Sequence, residues 1–329
     1  MDRLSPHRVE EILHGARDVT ALVVGDLMLD KYITGTVDRI SPEAPVPVLR
    51  VEAETSAIGG AGNVAANVVA LGAGAAVVGC VGSDENGRLV HAALDQAGVS
   101  TAGVVQSDDR PTTVKTRVLA RHQQVVRVDR EDAGDATDAA AAALGQRISE
   151  LAPRCQVLIM EDYNKGVLVP SVIERGVEVA AGLDLPTVVD PKRSRFWSYG
   201  GVSVFKPNAK ELAESLGEPL HPDDEAWMEA TRQRLGCDSL LLTLGERGMA
   251  LKGPAGLLRL EAVARDVYDV SGAGDTVSAV VAVVLAAGGT LEEAAILANH
   301  AAAIEVSKAG VSTVGADEIL QQYNRYRDR

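Results

Sequence analysis

The feature that most constrains this chain is a recurring short apolar run that ends on polar residues, with helix-length segments between the runs. Ala21-Leu22-Val23-Val24-Gly25-Asp26 sets the pattern, and Ala75–Val81, Val157–Met160, Thr187–Val189, Val202–Phe205 and Ser239–Thr243 repeat it. Runs that are apolar at successive positions, without alternation, belong to strands buried on both faces. The spacing predicts helices over Asn63–Leu71, Gly87–Ala97, Ala136–Leu151, Pro170–Ala181 and Ala209–Leu216. Strand–helix alternation of this kind gives an α/β fold, a parallel sheet flanked by helices on both faces. Polar residues fall just past the strand ends, at Asp26, Asp84, Glu161-Asp162, Asp190 and Asn208, the edge at which open α/β sheets bind ligands.

Two segments depart from this pattern. Lys31–Val51 carries Pro42, Pro45 and Pro47 within β-type alternation, and Thr112–Asp129 alternates apolar residues with Lys115, Arg117, Arg121 and Arg127. Arg121-His122-Gln123-Gln124 reads as a hairpin turn. The expectation is one domain over residues 1–329, with a small β lid built from about 31–57 and 103–131. Exposed hairpins with solvated arginines would give the same pattern.

The core must be built from Ala, Val, Leu and Ile, because 46% of residues are hydrophobic and only 3% aromatic. With 46 acidic and 32 basic residues the net charge is −14, which argues against nucleic acid or a membrane surface as partner. Cys80, Cys155 and Cys237 are isolated and odd in number, as suits a reducing cytoplasm and buried thiols. Met1–Arg17 reads as a charged amphipathic helix rather than a signal peptide, and no apolar run is long enough to cross a bilayer.

The chemistry concentrates at Asp269-Val270-Ser271-Gly272-Ala273-Gly274-Asp275-Thr276, followed by the apolar run Val277–Ala287. Glycines ahead of a long helix expose unpaired N–H groups, and with the helix dipole these form an anion site. An acidic residue at its mouth suits a base that takes a hydroxyl proton while the amides hold developing charge. Read without chemistry, the segment is a glycine turn with Asp275 as an ordinary N-cap. Gly59-Gly60-Ala61-Gly62-Asn63-Val64-Ala65-Ala66 has the outline of a dinucleotide fingerprint, with Asp84 about twenty residues on. Glu52–Ser56 before it is polar, however, so Gly59 and Gly60 more simply admit a polyhydroxylated ligand near the backbone, with Asn63 bonding to it. No P-loop sequence occurs. Asp26 and Asp30 can accept hydrogen bonds from sugar hydroxyls, or one can cap a turn. Asn208 and Glu211, in Lys206-Pro207-Asn208-Ala209-Lys210-Glu211, form a capping box or organise Mg²⁺ through its waters beside phosphates. Thr243-Leu244-Gly245-Glu246-Arg247-Gly248 is a strand-end glycine turn. His91, His122, His221 and His300 show no ligand spacing.

Taken in order, Gly25-Asp26, Gly59–Asn63, Val81-Gly82-Ser83-Asp84, Asn208–Glu211 and Val270–Thr276 resemble the ribokinase (PfkB) family of carbohydrate kinases over nearly the whole chain. The resemblance implies ATP-dependent phosphorylation of a sugar hydroxyl, with Asp275 as base and the amides of Gly272, Ala273 and Gly274 as anion hole. It implies that Asn208, Ala209, Lys210 and Glu211 contact nucleotide and Mg²⁺, with Thr243, Gly245, Gly248 and Asn299 lining the nucleotide pocket. Arg39–Val48, Lys115–Gln124, Asp162–Gly166, Asp190–Lys192 and Gly310–Val314 resemble the heptose-phosphate kinases within it. A phosphorylated acceptor needs fixed cations, for which Lys115, Arg117, Arg121, Lys165 and Lys192 are candidates. Ser271, Glu161 and Asn164 depart from the family pattern, where Thr, a small polar residue, and Gly or Ala are usual. Pairing of lid strands in a homodimer is expected, and the chain is expected to lack the adenylyltransferase that often follows such kinases. The alternatives are a kinase for another phosphosugar, sugar or nucleoside, a non-catalytic sugar- or nucleotide-binding regulator, and a dehydrogenase.

Overall fold

A computed structural model describes residues 4–327 except 122, 133, 265, 266 and 309. The strands in chain order are β1 (Thr20–Gly25), β2 (Leu27–Ile40), β3 (Pro47–Gly60), β4 (Gly74–Gly82), β5 (Ser100–Ser107), β6 (Thr113–Ala120), β7 (Gln123–Arg130), β8 (Val157–Glu161), β9 (Thr187–Asp190), β10 (Val204–Phe205), β11 (Ser239–Thr243), β12 (Met249–Gly253) and β13 (Gly256–Leu260). Among the described residues they form a nine-stranded sheet, ordered β13-β12-β11-β10-β9-β8-β1-β4-β5, and a four-stranded sheet, ordered β3-β2-β6-β7. The large sheet is parallel except at β12 and β13, which return antiparallel as an edge meander.

The unbroken apolar strands are explained by burial on both faces. Ala21 and Val23 of β1 enter one core with helices Pro6–Gly15, Ala61–Ala70, Glu85–Gln96, Ala273–Ala286, Leu291–Glu305 and Ala316–Arg327. Leu22 and Val24 enter the other, with helices Asp138–Leu151, Pro170–Gly182, Ala209–Leu216 and Glu225–Leu235. Each fully buried Val or Leu contributes about 1.5–3 kcal/mol. Helix Ala273–Ala286 is buried at every position from Asp275 to Val284, which its Val- and Ala-rich sequence permits only because it lies inside the protein. Among the described residues no helix is long and apolar enough to cross a membrane.

The small sheet is of another kind. β7 is exposed along its whole length, and β3 is mostly exposed before Ile58. β3 runs through the polar stretch Glu52–Ser56 to Gly60, paired antiparallel with β2. Its polarity follows from having little core to cover. Residues 103–107, expected in the lid, belong instead to β5, which pairs parallel with β4 at the edge of the large sheet. Its Ser- and Thr-flanked edge sequence lacks the apolar run that marks the inner strands. The β6–β7 turn holds Arg121 at φ 56°, while His122 lies outside the described residues.

Candidate active site

Gly272 starts the buried helix at φ 87°, a backbone conformation that favours glycine, and a Cβ there would stand 2.9 Å from Glu305 Oε1. Burial pushes the Glu305 carboxyl up to about 7, and its Oε1 accepts from the Ser312 amide at 3.1 Å. The Ser271 amide donates to Asp269 Oδ1 at 2.9 Å, and the Thr276 amide is the first to close onto Gly272 O, at 2.9 Å. Between them the Ala273 amide makes a long bond to Val270 O at 3.5 Å, and among the described residues the Gly274 and Asp275 amides have no backbone partner and can meet an anion.

Asp275 stands in that first turn, 4% exposed. Asn63 Nδ2 donates to its Oδ2 at 2.7 Å, and the Tyr163 hydroxyl donates to its Oδ1 at 2.6 Å. Burial, with added repulsion from Asp190, raises Asp275 to about 6 against the pull of those two donors. A carboxylate poised there is ionised at neutral pH and remains basic enough to take a proton from a hydroxyl in a transition state. Burial and the neighbouring carboxylates hold the Tyr163 phenol well above its ordinary value, so it is a donor.

Asp190, at the end of β9, meets Lys206 Nζ at 2.7 Å and Lys192 Nζ at 3.3 Å. Lys192 Nζ also reaches Glu211 Oε1 at 2.6 Å. Against the cost of burial, the two lysines hold Asp190 below its ordinary value, and Asp190 and Glu211 hold Lys192 above its own. Asn208 and Glu211 form the capping box of helix Ala209–Leu216, with bonds of 2.9 Å in both directions. The capping oxygens keep spare lone pairs, and a cation that retains its waters needs no more than that, so this pair fits outer-sphere Mg²⁺.

The residues expected on the acceptor side divide. Asp30 is ion-paired with Arg117, whose guanidinium lies over the Tyr32 ring at 5.5 Å. Gly59 lies against Asp30, where a Cβ would come within 2.5 Å of Oδ2. Gly60, at φ 61°, lets the chain pass from β3 into helix Ala61–Ala70. Lys165 pairs with Glu131 at 2.8 Å. Lys115 and Lys192 both place Nζ 5.3 Å from the Tyr163 ring centroid. Burial lowers Lys115 from its ordinary value, and among the described residues no carboxylate pairs with it. Two expectations change. Asp26, 1% exposed, gives its oxygens to the amides of Tyr163 (2.8 Å), Lys165 (3.0 Å) and Val167 (3.0 Å), so it clamps a loop rather than offering a face to a sugar. Arg121 sits exposed at the β6–β7 turn, six residues beyond Lys115 and so about 20 Å along the strand from it.

Toward the other end of the sheet, Thr243 bridges Asn208 in register, and its amide donates to Pro207 O at 3.1 Å, so the two strand ends form one rim. Gly245 and Gly248 frame the turn that follows, and Lys210 is exposed beside the capping box. Asn299, on helix Leu291–Glu305, donates to Glu261 O at 2.7 Å and lines a cavity of about 560 Å³ with Leu258, Leu260 and Tyr323. Asp84, the fingerprint's acidic position, caps helix Glu85–Gln96 through Gly87 N at 2.8 Å, and no parallel strand leads into the glycines. The sequence placed Asp190 at the ligand edge of the sheet and Tyr163 in a kinase-like segment but assigned no role to either, nor to Lys206. The available signal was position, since Asp190 ends an apolar run and the other two follow one closely.

A phosphate-ready helix start beside a buried carboxylate, on a sheet of this topology, defines a phosphotransfer fold. The sequence profile of the pfkB family carbohydrate kinases matches residues 20–318, so the chain belongs to that family and is a carbohydrate kinase. Bifunctional protein HldE of Citrifermentans bemidjiense is 42% identical over 318 residues, covering 95% of this chain and 65% of that protein. The protein of that name from Paramagnetospirillum magneticum is 42% identical over 322 residues, covering 97% and 65%. The chain thus spans 65% of the length of these curated relatives. Arabidopsis thaliana ribokinase, solved with ribose and ATP, superposes with a TM-score of 0.70 at 20% identity, over 93% of this chain and 98% of that one. Escherichia coli phosphofructokinase-2, solved with potassium, gives 0.78 at 20% identity, over 94% and 99%. These likenesses establish the ribokinase-like fold.

Proposed function

We propose that this kinase phosphorylates the anomeric hydroxyl of D-glycero-β-D-manno-heptose 7-phosphate, giving the 1,7-bisphosphate as a step of ADP-heptose biosynthesis. The reaction reading is carried by Asp275, a buried carboxylate beside unpaired helix amides whose two partners are side chains that can be exchanged. Support for the acceptor comes from the heptose-kinase-like segments and from the relatives named HldE. ATP supplies the phosphoryl group, and Mg²⁺ neutralises its charge when both are bound. Asp275 Oδ1 gives up the Tyr163 hydroxyl and takes the proton of the acceptor hydroxyl, and the amides of Gly272–Gly274 hold negative charge as it builds. Asn63 keeps the other oxygen oriented. Asn208 and Glu211 order the hydrated cation, and the rim of Thr243, Gly245 and Gly248, with Asn299, seats the nucleotide.

Lys115 sharpens the acceptor. Arg117, Lys165 and Lys192 each have a carboxylate partner, whereas Lys115 is partly buried against Tyr163 and, among the described residues, has none. It is the cation left to hold the sugar's own phosphate. Incubation with heptose 7-phosphate and Mg-ATP, with phosphate position read by NMR, should show a new phosphate on C1. Faster turnover of fructose 1-phosphate, tagatose 6-phosphate or a nucleoside would refute the acceptor, and no turnover of any would refute the reaction. Lys115→Met should raise KM for the phosphosugar about tenfold, the loss of one charge-assisted bond. It should leave KM for ATP unchanged.

A further inference from the structure

Glu161 is the last residue of β8, in register with Gly25 on one side and Asp190 on the other. Its side chain is wholly buried, and neither carboxyl oxygen has a hydrogen-bond partner among the described residues. One of its oxygens lies within 4.8 Å of oxygens on both Asp190 and Asp275. We propose that Glu161 is held as a neutral carboxylic acid and serves as a positioning residue, adding no negative charge beside Asp275 where the phosphoryl group arrives. The functional half of this proposal rests on Asp275 being the base.

The groups facing Glu161 leave it no other stable form. Asp190 comes from β9, Lys192 from the loop after it, Lys206 from the end of β10, Asp275 from the buried helix and Tyr163 from the loop after β8. Both ammonium groups are already engaged, Lys206 by Asp190 and Lys192 by Asp190 and Glu211. Asn63 and Tyr163 donate to Asp275. A charged Glu161 would be a third anion with no donor, and a carboxyl so placed takes up a proton instead. Burial first, then Asp190 and Asp275, push it well above the ordinary carboxylate range. With the proton on, Asp190, Asp275 and Glu211 face the two ammonium groups, and the approaching phosphoryl meets one negative charge fewer than it would beside an ionised Glu161. A divalent cation among the three carboxylates would have to displace Lys206 from Asp190 and would tie up the electron pair Asp275 needs.

The test uses the whole chain and Glu161→Gln, which has the shape of the neutral acid. An infrared difference spectrum at pH 8, wild type minus variant, should contain the carbonyl stretch of a protonated carboxyl. Its absence overturns the proposal whether or not the heptose reading holds. In pH profiles of kcat/KM the acid limb, set by Asp275, should coincide in the two proteins. The alkaline fall should come about one pH unit or more later in the variant, which has no proton to lose there. An acid limb lower by about one unit in the variant would mean Glu161 is charged, and coincident alkaline limbs would remove its charge role. Mn²⁺ binding to the free protein that disappears in Glu161→Gln, followed by EPR, would give the cluster to a cation and overturn the proposal.

Discussion

Two buried aspartates at the same edge of the large sheet have different work. Asp26 accepts from three backbone amides of one loop, and Asp275 accepts from two side chains on separate elements. Burial is the largest influence on both and raises both. What separates them is whether the partner can leave. Backbone donors that tie a loop down cannot be exchanged without opening the structure, whereas a phenol and an amide can give way to a substrate hydroxyl.

The comparison is broken most directly by Asp275→Asn. It should lower kcat by about 10²- to 10⁴-fold while ATP binding, measured by calorimetry, stays nearly intact. The same variant should melt higher above pH 6. The native Asp275 titrates near 6 and the unfolded one near the ordinary value of 3.8. The folded state therefore binds more protons between those values, and its stability falls as pH rises through them. Retained turnover would reduce Asp275 to a buried structural partner of Asn63 and Tyr163, since Gly272, not Asp275, is the residue at the helix cap. Asp26→Ala should act on folding instead, leaving the buried Val167 amide unpaired at about 1–3 kcal/mol and the half-buried amides of Tyr163 and Lys165 without their acceptor, read by denaturant unfolding. Full stability with lost turnover would erase the distinction between the two. Tyr163→Phe is smaller. The phenol's hydrogen bond lowers the Asp275 pKa, so its removal should move the acid limb of kcat/KM up by about one pH unit. Arg121→Ala should stay within about 0.5 kcal/mol in stability and leave the kinetics of the monomeric site unchanged. A raised KM for the sugar would bring that distant turn back to the site.

The large sheet was legible because its inner strands are apolar at successive positions, a pattern that burial on two faces imposes. The edges were less so. β5 carries Ser and Thr, and the antiparallel β12 and β13 have their short apolar runs interrupted by Lys252 and Arg259. In the site, Asp275 stood out in a sharp local motif; Asn63 and Lys192 were named for contacts to a ligand, whereas Asn63 donates to Asp275 and Lys192 is engaged by Asp190 and Glu211. Asp26 was visible too but misread, because its three donors are backbone groups and no sequence spells out where a loop's amides point. Arg121 and Lys115 look alike in the sequence, and only strand length separates them. Glu161 stood out as a departure from the family pattern, yet its isolation depends on Asp190 and Asp275 arriving from other strands and helices.

Asn63 has a mechanical consequence. β3 ends at Gly60 and the helix bearing Asn63 begins at Ala61, so the outer strand of the small sheet and the amide that aims the Asp275 carboxylate are joined by a few bonds. Both helices lie in one core, and the Thr276 hydroxyl at the start of the second donates to Asn67 Oδ1 of the first at 3.2 Å, one turn beyond Asn63. The aim of the base is therefore fixed where two buried helices meet, and one of the two starts where the small sheet stops.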